Sequence, residues 1–190
     1  MRKQPERTAK TKHALQEAFW ELYCEKPIEK ITVKEITDAA GVYRSTFYEY
    51  FTDVYAVRDM IESDILGSYV TFIGEVPKIK TIEDGVKLLI SFYSLNARYL
   101  VVLLGPHGDP SFLKEIKSRV RLIMQEMFDI PTDDIETEIL LEMGYAAVLS
   151  MLNYWYEHRD KMTIEEVIDI SSQFLQHGLL SYLKKWGLLP

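Results

Sequence analysis

The chain has 190 residues, 47% of them apolar and 27% charged. That composition belongs to a globular protein, long enough for a small head and a larger body. The longest apolar run, Tyr99 to Leu104, is far short of the roughly 18–20 residues that a membrane span needs, so no membrane association is expected. The formal net charge of −7 argues against nucleic acid as a partner only if it is spread evenly, and it is not. The first twelve residues carry five basic side chains (Arg2, Lys3, Arg7, Lys10, Lys12) against Glu6 alone. Through Arg58 there are ten basic and nine acidic residues, and the rest of the chain holds twelve and twenty. The acid therefore lies in the body, behind a neutral front with a basic tip.

In chain order the apolar pattern is helical almost throughout. Leu15, Ala18, Phe19, Leu22 and Tyr23 recur at the spacing of one helix face, and Pro27 ends that helix. Thr32 with Glu35 three residues on is a capping box that opens a short second helix. Gly41 stops it, and a third short helix is predicted from about Arg44 to Phe51. Asp53 suits the N-cap of a long fourth helix with Val57, Ile61, Ile65, Tyr69 and Phe72 on one side. Pro77 ends it. A fifth helix runs from about Thr81 to Leu104, and Gly105 to Pro110 is a turn cluster. A sixth runs from about Ser111 to Phe128. Thr132, and Thr163 with Glu166 in capping-box spacing, open two last long helices over about 133–157 and 164–185. The fold class expected is all-α, with residues 1–52 forming a helix-turn-helix head and 53–190 a helical body.

The stretch from Ile31 to Phe51 carries the function. Two short helices meet at Gly41, with Ile36, Ala40, Val42, Phe47 and Phe51 suited to the inside corner. Small Ala39 and Ala40 would let the helices approach closely. A second helix held this way enters the major groove of DNA. On its outward face Arg44 can donate two hydrogen bonds to guanine O6 and N7. Ser45 and Thr46 are short enough for the helix to sit deep. Tyr48 and Tyr50 can reach phosphates, and the first-turn amides near Thr32 and Val33 suit another.

These residues, with Ala18-Phe19 before them, resemble the signature of the TetR family of bacterial regulators. The matching pattern is Ile31-Thr32-Val33 with Ile36, then Ala40-Gly41-Val42, then Thr46-Phe47-Tyr48 followed by Tyr50-Phe51. The similarity spans roughly residues 8–60. It implies a three-helix DNA-binding head, and a helical domain that binds a small effector and dimerises through its last two helices. By position it implies that Tyr43, Arg44, Ser45, Thr46, Tyr48 and Tyr50 face DNA, with Thr32, Val33 and Lys34 near the backbone. Two departures stand out. Many members carry a phosphate-touching lysine at the start of the fourth helix, where this chain has Val54. Glu49 also places a negative charge on the recognition helix.

The function expected is therefore a transcriptional repressor that leaves a palindromic operator when it binds a small molecule. Dimerisation follows, because one short helix reads only a few base pairs. Gly144, Ala147 and Ser150 on the seventh helix, and Val167, Phe174, Leu175, Gly178 and Leu179 on the eighth, suit a two-fold interface. Among the body's many aromatic residues, Tyr69, Phe92, Tyr93, Tyr99, Tyr145 and Trp155 are the candidates for lining an effector pocket. An enzyme is not expected. His13, His107, His158 and His177 have no metal-ligand spacing, no cofactor-binding motif is present, and Cys24 is expected within or beside a buried helix face as an inert thiol. With one cysteine and a charged start lacking an apolar stretch, a cytoplasmic setting is expected. The alternative is a helical dimer that acts through protein partners without sequence-specific DNA binding.

Overall fold

A computed structural model describes residues 5–73, 81–105, 107–128 and 134–185. Pro77 and Thr132, read above as helix boundaries, lie outside these residues. Eight α-helices and one 3-10 turn make up the described chain, and no strand occurs among the described residues. They are α1 (Pro5–Glu25), α2 (Val33–Ala40), α3 (Arg44–Phe47), α4 (Val54–Ile73), α5 (Ile82–Leu103), α6 (Pro110–Phe128), α7 (Ile135–Glu157) and α8 (Ile164–Lys185). The 3-10 turn, Ile28–Lys30, joins α1 to α2.

The boundaries follow local chemistry. Pro5 and Pro110 each take the first helical position, where a missing amide hydrogen costs nothing. The basic segment is thus largely helical: Arg7, Lys10 and Lys12 stand on α1 rather than on a frayed arm. Asp53 caps α4 by accepting from the Ala56 amide at 2.9 Å. At α5 Thr81 and Asp84 exchange two bonds, each amide donating to the other's side chain at 3.1 Å. Asp134 caps α7, and Thr163 with Glu166 forms the expected box at α8.

The chain divides into two compact units. The first comprises Met1–Gly67 together with Val102–Asp109, and the second comprises Ser68–Val101 and Pro110–Pro190. In the first unit α1 presents Leu15, Ala18, Phe19 and Tyr23 inward as its spacing demands. Trp20, which that stripe leaves out, is also fully buried. Val54, Val57, Ile61 and Ile65 line the inner side of α4. In the second unit Phe92, Tyr93, Leu100, Phe112, Leu152 and Val167 are buried.

Three expectations change and one becomes more definite. The third helix ends at Phe47, and residues 48–50 form a turn. Ala39 is exposed, so the close approach of α2 and α3 does not depend on it. Cys24 is exposed, beside the buried face of α1 rather than within it, because it follows the inward Tyr23 by one residue, about 100° around the helix. Finally, α8 is not continuous. Gly178 has φ 70 and ψ 175, so it breaks the helix that the sequence predicts through to about residue 185.

Candidate nucleic-acid interface

The capping box at Thr32 sets the start of α2. The Glu35 amide donates to the Thr32 hydroxyl oxygen at 3.3 Å, while the Thr32 amide and hydroxyl donate to Glu35 Oε2 at 2.9 and 2.8 Å. Lys26 Nζ reaches Glu35 Oε1 at 2.5 Å. These bonds, the one from Lys26 foremost, hold the Glu35 carboxyl down to about 2. A carboxylate thus already occupies the Thr32 amide, and the first-turn amide of Val33 lies beside it. Thr32 and Lys34 are exposed and Val33 is half-buried.

The turn out of α2 uses Gly41 at φ 65, with its amide on the Asp38 carbonyl. Thr37 is buried in the same turn. Its hydroxyl donates back to the Val33 and Lys34 carbonyls at 3.0 Å, and its own carbonyl accepts from Val42. This fixes the direction in which α3 leaves.

Beneath α3 lies an aromatic floor. Phe47 and Ile36 are fully buried, and Phe51 sits 5.5 Å from Phe47, ring centre to ring centre. Ala40 and Val42 are half-buried beside them. Tyr43 is the N-cap of α3, with extended backbone at φ −76 and ψ 150, so it does not follow the helical face that carries Phe47. Tyr43 is 84% exposed, and Arg44 and Ser45 are exposed too. Thr46 and Tyr50 are half-buried. Tyr48 lies on the turn after α3, half exposed, with its ring against Phe47. Arg44 Nη2 donates to the Tyr48 hydroxyl at 3.1 Å, and the guanidinium stands 5.7 Å from the Tyr48 ring centre. The structure therefore brings Arg44 and Tyr48 together and leaves the neighbouring Tyr43 and Ser45 exposed. Glu49 is exposed beside them. Val54 is buried, so its apolar side chain belongs to the core of the first unit rather than to this surface.

The pocket candidates of the second unit differ in burial. Phe92 and Tyr93 are buried, while Tyr99, Tyr145 and Trp155 are half-buried. The Tyr69 side chain lies outside the described residues. The Tyr93 hydroxyl donates to Asn153 Oδ1 at 2.7 Å, and burial pushes its phenol well above the usual range. The Tyr145 hydroxyl is buried with no hydrogen-bond partner among the described residues. Trp155 lines a groove of about 280 Å³ at the α7–α8 turn, with Met151, Tyr154, His158, Met162 and Ile170 among its neighbours.

Among the described residues no group of three or more His, Cys, Asp or Glu could hold a metal ion. No described helix is long and apolar enough to cross a membrane.

An exposed short helix on a buried aromatic floor, set by a glycine turn at the front of a larger helical chain, defines a helix-turn-helix regulator. The chain belongs to the TetR family of transcriptional regulators: residues 80–186, more than half of it, match that family's transcriptional regulator C-terminal region. No curated protein matches it in sequence. Solved structures share the fold. The fatty acid degradation regulator FadR from Bacillus halodurans superposes with a TM-score of 0.66 at 16% identity, covering 94% of this chain and 98% of its own. A TetR transcriptional regulator from Streptococcus agalactiae gives 0.61 at 24% identity, over 90% and 96%. FadR from Bacillus subtilis, in complex with stearoyl-CoA, gives 0.61 at 12% identity, over 88% and 98%.

Proposed function

We propose that this regulator is a homodimeric repressor that reads a palindromic operator with Tyr43, Arg44, Ser45, Thr46 and Tyr48 and leaves it on binding a small molecule. The exposed face of α3 carries this reading. A side chain as large as Tyr43 at 84% exposure, beside an exposed arginine, has no packing role in the chain and suits a groove. Thr32, Val33, Lys34 and Tyr50 flank it as contacts to the DNA backbone. Because the Glu35 carboxylate already occupies the Thr32 amide and Val54 is buried, backbone attraction rests on Lys34, on the tyrosines and on the basic residues of α1.

Dimerisation would use α7 and α8. Ile139, Leu140 and Met143 on α7, with Phe174 and Leu175 on α8, are large apolar side chains left exposed on the single chain. A Cβ added at Gly144 would meet nothing within 4 Å, so a partner helix has room to approach there. Val167 is buried within the chain and would not take part. The effector would be largely apolar, with a polar group for the Tyr145 hydroxyl, which has no hydrogen-bond partner among the described residues. The stearoyl-CoA held by the Bacillus subtilis neighbour makes acyl-CoA esters the first compounds to try.

Selection from a random DNA library with the full-length protein tests the reading. Enrichment of a palindrome supports it, with half-sites about one helical turn apart or a multiple of that. Absence of enrichment at low salt overturns it in favour of a dimer that acts on protein partners. Arg7→Gln, Lys10→Gln and Lys12→Gln together should weaken binding to every sequence and flatten its salt dependence while leaving α1 intact.

A further inference from the structure

The first unit holds a buried charge cluster that DNA recognition does not use. Its centre is Arg58 on α4. Nη2 of Arg58 lies 3.0 Å from Asp109 Oδ2 and 2.8 Å from Asp59 Oδ1, and Nε lies 3.4 Å from Glu62 Oε1. One guanidinium therefore serves three carboxylates. Asp59 is largely in water, where its attraction is screened. The side chains of Glu62 and Asp109 are only 11% and 15% exposed, so they are the real competitors. Their positions are unequal. Asp109 approaches closely, whereas Glu62 Oε1 is buried with no hydrogen-bond partner among the described residues.

Asp109 ends the stretch Val102–Asp109, the one segment beyond Gly67 that clusters with the DNA-binding helices. A second bond holds the same stretch, where the Tyr23 hydroxyl donates to the His107 carbonyl at 2.9 Å. The chain enters this loop from α5 and leaves it into α6, and these two attachments tether the loop within the first unit.

We infer that the protonation state of Glu62 controls this tether. Neutral, Glu62 leaves the Arg58 guanidinium to Asp109 and the loop stays docked. Ionised, it competes for the same guanidinium, repels Asp109 and releases the loop.

The other groups around Glu62 fit this role. From α1, Tyr23 is pushed up to about 12 by burial and keeps its proton, so its bond to the loop does not change near neutral pH. Glu29, on the 3-10 turn, is exposed. From α4, Arg58 stays charged, and Asp59 faces water. The loop adds Asp109 and His107, the latter exposed. Burial is the main cause that lifts the Glu62 carboxyl to about 7, with Asp109 and Asp59 adding and Arg58 opposing. Because the docked value lies above the ordinary one, docking is favoured at low pH and lost as pH rises through about 7. If release returns Glu62 to its ordinary value of 4.5, proton linkage weakens docking about tenfold between pH 6 and pH 8.

Amide hydrogen exchange on the full chain, corrected for the intrinsic pH dependence of exchange, reads loop docking without DNA. In the wild type, protection of residues 102–109 should fall about tenfold from pH 6 to pH 8. Glu62→Gln should keep high protection at both values, and Asp109→Asn should show low protection at both. His107→Gln controls for the imidazole and should retain the wild-type slope. A flat wild type, a slope that survives in Glu62→Gln or vanishes in His107→Gln, or full protection in Asp109→Asn would overturn the inference. The wild type gives a check free of any variant. The Glu62 carboxyl carbon followed by NMR should titrate together with loop release near pH 7, and titration near 4.5 rejects the mechanism.

Discussion

The Tyr23 hydroxyl, near the end of α1, donates to the carbonyl of His107, 84 residues further along the chain. α1 thus holds the loop Val102–Asp109, a distant stretch of the chain that belongs to the same compact unit. The tyrosine ring is buried and stacked on Phe19 at 5.4 Å, so the hydroxyl has little freedom to choose another partner. Tyr23→Phe keeps that stack and removes only the bond. It should cost about 1 kcal/mol of stability, since the carbonyl sits in a half-buried setting and regains some water. Urea denaturation followed by tryptophan fluorescence measures it, and no change in midpoint would mean that the bond contributes nothing to holding the loop.

The charge cluster beside that bond should respond unequally to removing its members. Asp109→Asn leaves Arg58 with Glu62 and Asp59, and a loss of about 1 kcal/mol is expected. Arg58→Met strands two carboxylates that are both largely buried, and the loss should be on the order of 2–3 kcal/mol. Arg58 is also what lowers the Glu62 carboxyl, so without it Glu62 binds its proton still more tightly. The arginine variant should therefore lose more stability at pH 8 than at pH 6, where Glu62 is neutral in any case. Denaturation curves at the two pH values test both claims. Equal losses for the two variants would contradict the central place given to Arg58.

Gly41 and Gly108 are needed for different reasons, and alanine separates them. Gly41 lies at φ 65 with nothing within 4 Å of an added Cβ, so Gly41→Ala meets only backbone strain, about 1 kcal/mol, and Gly41→Asn less. Gly108 has no such φ. A Cβ there would stand 1.8 Å from the Leu103 carbonyl oxygen and 2.4 Å from its carbon, both backbone atoms that cannot turn aside. Gly108→Ala must push the loop away from the end of α5, at about 2–3 kcal/mol. Thermal unfolding ranks the two, and hydrogen exchange should show loss of protection at residues 102–109 in Gly108→Ala alone.

What the sequence disclosed in advance was local. Thr32 with Glu35, Thr163 with Glu166, Asp53 before α4 and Gly41 between two short helices each announce themselves within a few residues, and each forms as expected. Leu15, Phe19, Ile36, Phe47 and Phe51 follow from spacing alone. Pairings between distant segments left no such trace. Nothing at Asp109 points to Arg58, and nothing at Tyr23 marks its hydroxyl for His107. Glu62 reads as one more charged residue on an amphipathic helix until its burial is known. The bond of Tyr93 to Asn153 and the place of Trp155 in the groove at the α7–α8 turn are likewise not encoded in periodicity.

The pairing of Arg44 with Tyr48 bears directly on operator reading. In the free protein the guanidinium donates to the phenol oxygen at 3.1 Å and lies near its ring, so under the proposed function the arginine would enter the groove already held. Arg44→Ala should relax selection at one base position in each half-site, by roughly 1–3 kcal/mol. Tyr48→Phe keeps the ring but removes the acceptor. If the hydroxyl serves to hold Arg44, the phenylalanine variant relaxes the same base position, and the double variant is no worse than Arg44→Ala alone. If the hydroxyl serves only a phosphate, Tyr48→Phe weakens all sequences equally and the two effects add. Binding to a selected operator and to its single-base variants, measured for the wild type, both single variants and the double, decides between them. The same data show whether the wild type prefers any sequence at all, so a failure of the arginine–tyrosine pair is distinguishable from a failure of DNA recognition itself.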